Sequence, residues 1–170
     1  VRYDLVNHFE RELNNLAVNL GGRSLSDPDA IDSRNKEEKK LHSLIGMAET
    51  SFYACDYTNS IAAWNRFLNL KPDICEAWNS KGAALCKAGS NEEAIDAYNN
   101  ALKIKPDYYE AWNNKGNALF KSGLHDVAME AYDQALKIMP NACKVWFNIG
   151  LALSKEGKYD KSIEAYDKAI

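Results

Sequence analysis

From Cys75 onward, apolar residues recur at three- and four-residue intervals in two short runs, split by a glycine and closed by a proline. Trp78 and Leu85 mark the first run. Ala94, Ile95, Tyr98, Ala101 and Leu102 mark the second. Each run places its apolar positions on one stripe of an α-helix, so the pattern predicts a helix A and a helix B per unit. The unit then repeats. Residues 72–105 and 106–139 agree at 19 of 34 positions. A 34-residue period of paired amphipathic helices predicts units that bury their apolar faces only by stacking on one another.

With Cys75 as position 1, Trp78, Gly82, Leu85, Gly89, Ala94, Tyr98, Ala101 and Pro106 fall at positions 4, 8, 11, 15, 20, 24, 27 and 32. Trp112, Gly116, Leu119, Gly123, Ala128, Tyr132, Ala135 and Pro140 follow in the next unit. Gly82 and Ala94 are small enough for two helices to approach closely. Gly89 supplies the positive φ that ends helix A. Pro106 stops helix B. Asp73 with Glu76, and Asp107 with Glu110, have the spacing of capping boxes.

This skeleton resembles the tetratricopeptide repeat family, in its prokaryotic-type variant. Lys81 and Lys115 depart from it at position 7, where the family usually carries Leu. The resemblance implies an all-α fold, a right-handed superhelix in which helix A lines a concave groove. Positions 5, 6, 9, 12 and 13 then supply candidate peptide-binding residues: Asn79, Asn113, Asn114, Asn117, Asn148, Phe120, Phe147, Lys87, Lys121 and Lys155. Asn is a poor helix former, but its carboxamide can both donate to and accept from an extended backbone. The array of the O-linked N-acetylglucosamine transferase uses position-6 Asn in this way. Position-6 Asn is also common in the family at large, so a consensus feature without ligand contact is the competing reading. The carboxylate clamp that grips chaperone C-termini is not expected, because of Asn79, Ala83, Asn114, Lys144 and Asn148 only Asn114 and Lys144 fit it.

Outside the regular units the pattern loosens. Residues 3–20 form one apolar stripe ended by Gly21-Gly22, which predicts an extra N-terminal helix. Residues 23–36 read as a linker, with Asp27-Pro28-Asp29 as a turn and helix A of the next unit starting near Asn35. Domain boundaries are thus expected at 1–36 (helix and linker), 37–74 (a degenerate repeat), 75–108, 109–142 and 143–170 (a repeat stopping within helix B). In the degenerate unit Leu44, Ala48, Ser60, Trp64 and Phe67 replace Trp, Gly, Ala, Tyr and Ala, so its spacing should differ.

Composition narrows the function. A net charge of −3 gives no basic footprint for nucleic acid. No apolar run approaches the ~20 residues of a membrane span, and no signal peptide opens the sequence. The four Cys show no ligand spacing; they read as buried reduced thiols of a cytoplasmic chain, with no metal or cofactor. The Glu92-Glu93 pair reads as helix-start acids rather than catalysts. The expectation is a non-catalytic protein-protein interaction scaffold. Self-association, through the open last repeat or the first helix, and service as a regulatory arm of a larger protein are the alternatives.

Overall fold

The computed structural model describes residues 28–170, with side chains from Asn35 on. Eight helices fill the described residues, and no strand is among them: α1 (Pro28–Tyr53), α2 (Tyr57–Leu70), α3 (Cys75–Ala88), α4 (Asn91–Ile104), α5 (Tyr109–Lys121), α6 (His125–Ile138), α7 (Cys143–Lys155) and α8 (Tyr159–Asp167). The chain divides at Ser43/Leu44 into two units. Of the first, only residues 28–43 are described. The groove and the repeat contacts below belong to the second, Leu44–Ile170. The extra helix expected over residues 3–20 lies outside the described residues.

The second unit is an all-α solenoid. From α2 to α8 each helix packs on its neighbours in sequence, and α3, α5 and α7 also touch in succession. Within a pair, close approach depends on a glycine and a tyrosine. A Cβ on Gly82, Gly116 or Gly150 would lie 2.6 Å from the ring of Tyr98, Tyr132 or Tyr166 respectively. Gly123 turns the chain between α5 and α6 at φ 78°, and lets the Leu124 N–H reach the Leu119 carbonyl at 3.0 Å. Gly89 and Gly157 do the same elsewhere. Alanines at 0 % exposure (Ala94, Ala128, Ala101, Ala135) seat helix B against its neighbours.

Three sequence expectations are corrected. The linker expected to Lys36 is helical from Pro28. A proline is tolerated in a helix's first turn, where its missing N–H has no intrahelical acceptor. The capping boxes do not form: the N-caps of α3 and α5 are Ile74 and Tyr108, without side-chain cap bonds. Asp73 and Asp107 therefore stand one residue too early. The repeated Trp holds these corners instead, its indole N–H donating to the carbonyl of Pro72, Pro106 or Pro140 at 2.8–2.9 Å from Trp78, Trp112 and Trp146. The four thiols are free but not all buried. Cys75 packs among Ala101, Leu102 and Ala111, whereas Cys55, at φ 60° in the turn after α1, and Cys143, opening α7, are exposed.

Position 7 also gains a reason. The Lys81 and Lys115 ammoniums sit 5.0 Å over the Trp78 and Trp112 rings. Burial holds both below the usual lysine range.

Position 20 offers a paired test. Ser60 is fully buried and its hydroxyl has no partner among the described residues. The Ser162 hydroxyl donates to the Gly150 carbonyl at 2.7 Å. An unmet buried polar group costs about 1–3 kcal/mol and a made bond contributes about 1 kcal/mol. In urea unfolding, Ser60→Ala is expected to raise stability by about 1 kcal/mol and Ser162→Ala to lower it by a similar amount.

Candidate functional site

Side chains one turn apart on a helix share a face, so positions 5, 9 and 12–13 of α3, α5 and α7 point the same way. Between these helices lies a groove of about 300 Å³. Seven of the ten residues singled out in the sequence line it: Asn114, Asn117, Asn148, Phe120, Lys87, Lys121 and Lys155. Tyr98 and Tyr132 form its floor from α4 and α6, with Ala83, Cys86 and Leu151 among the remaining walls. Phe147 and Asn113 line a second cavity of about 620 Å³ beside it, which Asn114, Asn117 and Asn148 share. Phe147 is 54 % exposed, with its ring 5.5 Å from that of Tyr166. Asn79 lines neither.

The asparagines were expected to offer their amides to a peptide backbone. Four of the five also join one repeat to the next. Asn114 Nδ2 donates to Asn79 Oδ1 at 3.0 Å, and Asn148 Nδ2 to Asn113 Oδ1 at 2.9 Å. Asn113 is buried at 8 % exposure and its own Nδ2 leans on Asn114 Oδ1 at 3.5 Å. Position 5 of one unit thus meets position 6 of the following one. These amides are already partly satisfied before any ligand arrives.

Asn117 is held differently. The Tyr132 hydroxyl donates to its Oδ1 at 2.7 Å. Burial pushes the Tyr132 phenol up, with the Cys86 side chain adding to the shift, so the hydroxyl keeps its proton and acts as donor. This orienting role was missed from sequence, where position 24 read only as packing.

The cationic side is also built. The Lys121 ammonium lies 3.4 Å from Cys86 Sγ, and that of Lys155 lies 5.8 Å over Phe120. Phe120 stacks on His125 at 4.4 Å between centroids. His125 Nδ1 lies 3.1 Å from Glu156 Oε1, and the Lys158 ammonium 2.8 Å from Oε2. The Lys158 bond, more than His125, holds the Glu156 carboxyl below its ordinary range. Cys75, by contrast, is pushed up to about 12 by burial and by Glu76, and donates to that carboxylate at 3.1 Å. Among the described residues no group of three His, Cys, Asp or Glu could hold a metal, and no helix is long and apolar enough to cross a membrane.

Tetratricopeptide repeat models match residues 109–142 and 143–170, and a TPR repeat model matches 82–123. By sequence, no curated protein matches. Among solved structures, crystalline MamA is similar at 26 % identity and a TM-score of 0.67, over 76 % of this chain and 75 % of that one. The TPR2B domain of yeast Sti1, in complex with pHsp70, shares 23 % identity at a TM-score of 0.58, over 77 % and 96 % of the two chains. A mutant O-GlcNAc transferase of Thermobaculum terrenum shares 23 % identity at a TM-score of 0.62, over 68 % of this chain and only 22 % of the other.

Proposed function

Because this chain belongs to the tetratricopeptide repeat family, and so is a protein-interaction scaffold, we propose that it holds an extended segment of a partner protein along the α3–α5–α7 groove without catalysis of its own. The observation that carries this reading is the convergence of polar, aromatic and cationic side chains on one groove of about 300 Å³. Like helices advance by about 10 Å per repeat, and an extended chain covers about 3.4 Å per residue. Three ligand residues therefore match one repeat. The Asn114 and Asn148 amides keep hydrogen-bonding capacity beyond their bridges, and Phe120 offers an apolar seat. The free thiols suit a reducing, cytoplasmic setting.

The test fills the groove. Ala83 lines it from α3, and Ala83→Trp places an indole there. A partner is captured with the intact chain, and its bound segment is synthesised and titrated by calorimetry. Binding at least tenfold weaker to the variant is expected, with an unchanged helical circular dichroism spectrum. Equal affinity would move docking to the opposite, α4–α6–α8 side.

A second reading, weak self-association through the last repeat, is favoured by its exposed apolar side chains. Ile163 is 59 % exposed, and Phe147, Leu151 and Ile170 are exposed as well. Sedimentation should then show a concentration-dependent mass that Ile163→Lys abolishes. A constant monomer mass for the unsubstituted chain would end this reading.

A further inference from the structure

Taking the groove as the peptide site proposed above, we infer that it selects acidic segments, and that Asn117 and Lys121 together hold a ligand carboxylate. Three observations lead there. The first is the charge of the lining: Lys87, Lys121 and Lys155 reach the groove and no Asp or Glu lines it. The acids of these helices, Glu76 and Glu110, stand in the first turns of α3 and α5. They lie eleven residues before Lys87 and Lys121, or about 16 Å along the axis. The groove is cationic along one side although the chain as a whole carries a charge of −3.

The second is the state of Asn117. Tyr132 donates to its carbonyl oxygen. The acceptor is thereby taken and the carboxamide is fixed in one orientation. Its Nδ2 hydrogens have no acceptor among the described residues, and the residue lines the groove. Asn114 and Asn148 each spend an Nδ2 hydrogen on the neighbouring repeat, so Asn117 is the asparagine of this groove that keeps both Nδ2 hydrogens for a ligand. Lys121 follows one turn later on the same face of α5. Among the described residues its ammonium touches only the weak acceptor Cys86 Sγ at 3.4 Å, with further N–H donors to give. Two donors one turn apart on one face match the two oxygens of a carboxylate.

The third is that this pair is not dictated by the repeat. Position 9 is Ala83 in α3 and Leu151 in α7, and only α5 carries Asn. A side chain that packing does not call for, locked by a buried phenol and aimed at an acid-free groove, is a specificity residue. Tyr132 acts through it as a positioning residue. The neighbouring ligand residue then lies against Phe120 and Leu151, so an acid beside an apolar side chain is the preferred sequence.

The test uses the whole chain and synthetic nonapeptides with one central Leu. In one the flanking residues are Asp, in a second the isosteric Asn, and in a third Lys. Fluorescence polarisation of labelled peptides gives the affinities. The Asp peptide is expected to bind at least tenfold more tightly than the Asn peptide, and to weaken with rising salt. Asn117→Asp keeps an acceptor for Tyr132 but turns the donors into a repelling oxygen, and should weaken the Asp peptide at least tenfold while leaving the Asn peptide unchanged. Lys121→Gln should act in the same direction. Tyr132→Phe retains the ring but frees the carboxamide, and should weaken the Asp peptide about threefold without loss of helicity. Equal binding of the Asp and Asn peptides, lost in Ala83→Trp, would overturn the acidic selectivity and leave the groove reading standing. Acid preference unaffected by Asn117→Asp would overturn the assigned carboxylate site. Absence of any peptide binding sensitive to Ala83→Trp would overturn both.

Discussion

Gly116→Ala is expected to destabilise the chain by about 2 kcal/mol, although alanine is the better helix former. Propensity alone favours alanine by about 1 kcal/mol in a helix interior. Against this, the new methyl would stand 2.6 Å from Tyr132 Cε1 and 2.7 Å from Cδ1. The ring cannot swing aside. It is 1 % exposed and packed in one cluster with Leu119, Ala128, Ala131 and Ala135. Its hydroxyl is also tied to Asn117. Overpacking of a tight core costs about 1–3 kcal/mol, and distortion of the Asn117 bond adds to it. Gly46 supplies the control. It too lies within a helix, but a Cβ there meets nothing within 4 Å among the described residues. Gly46→Ala should therefore stabilise by about 0.5–1 kcal/mol. Urea unfolding followed by circular dichroism measures both. Opposite signs are expected, and a gain in stability for Gly116→Ala would show that the pair has room which the geometry denies.

That glycine was legible as a place of close approach because it recurs in each regular unit, and a repeated physical task leaves a repeated residue; that the tyrosine is what it approaches was not. That helix A lines a groove came from the family resemblance rather than from the spacing. Helical spacing then decides only which side chains of one helix share a face, and Asn117, Phe120 and Lys121 share one whatever the neighbouring helices do. Contacts between repeats were not legible. Whether position 5 of one helix meets position 5 or 6 of the next depends on the offset between units, which no single unit encodes. Asn79 and Asn113 therefore read only as peptide-facing amides, and their bonds with Asn114 and Asn148 were not foreseen. The capping boxes failed over a shift of one residue. Asp107 has suitable chemistry, but Tyr108 is the cap, and the Trp112 indole bound to the Pro106 carbonyl holds the corner. Cysteine burial failed because residue type sets only an average. The same repeat position is buried at Cys75 and exposed at Cys143.

Cutting both amide bridges with Asn79→Ala and Asn113→Ala should lower stability by about 1 kcal/mol net and make unfolding less cooperative. In a repeat array, stability is close to a sum of terms for single repeats and terms for the contacts between neighbours. The two bonds lie between α3 and α5 and between α5 and α7, so their loss falls on the second kind. Each bond contributes about 1 kcal/mol net. The Asn113 substitution should cost more than that of Asn79, since Asn113 is buried at 8 % exposure and also reaches Asn114. Better helix propensity of Ala returns part of the loss, about 0.5 kcal/mol per site, so a double-mutant cycle isolates the bond itself. Between Asn113 and Asn148 the cycle should give a coupling of about 1 kcal/mol. The tryptophans supply a local readout, because Trp78, Trp112 and Trp146 each mark one repeat. In variants keeping a single one of these three (Trp64 replaced in all), the fluorescence transitions of the parent should coincide. With both bridges cut they should separate, and the urea m-value by circular dichroism should fall as two-state behaviour breaks down. A coupling of zero with coincident transitions would show that water satisfies these amides as well as their neighbours do, and that apolar packing alone sets the register between repeats.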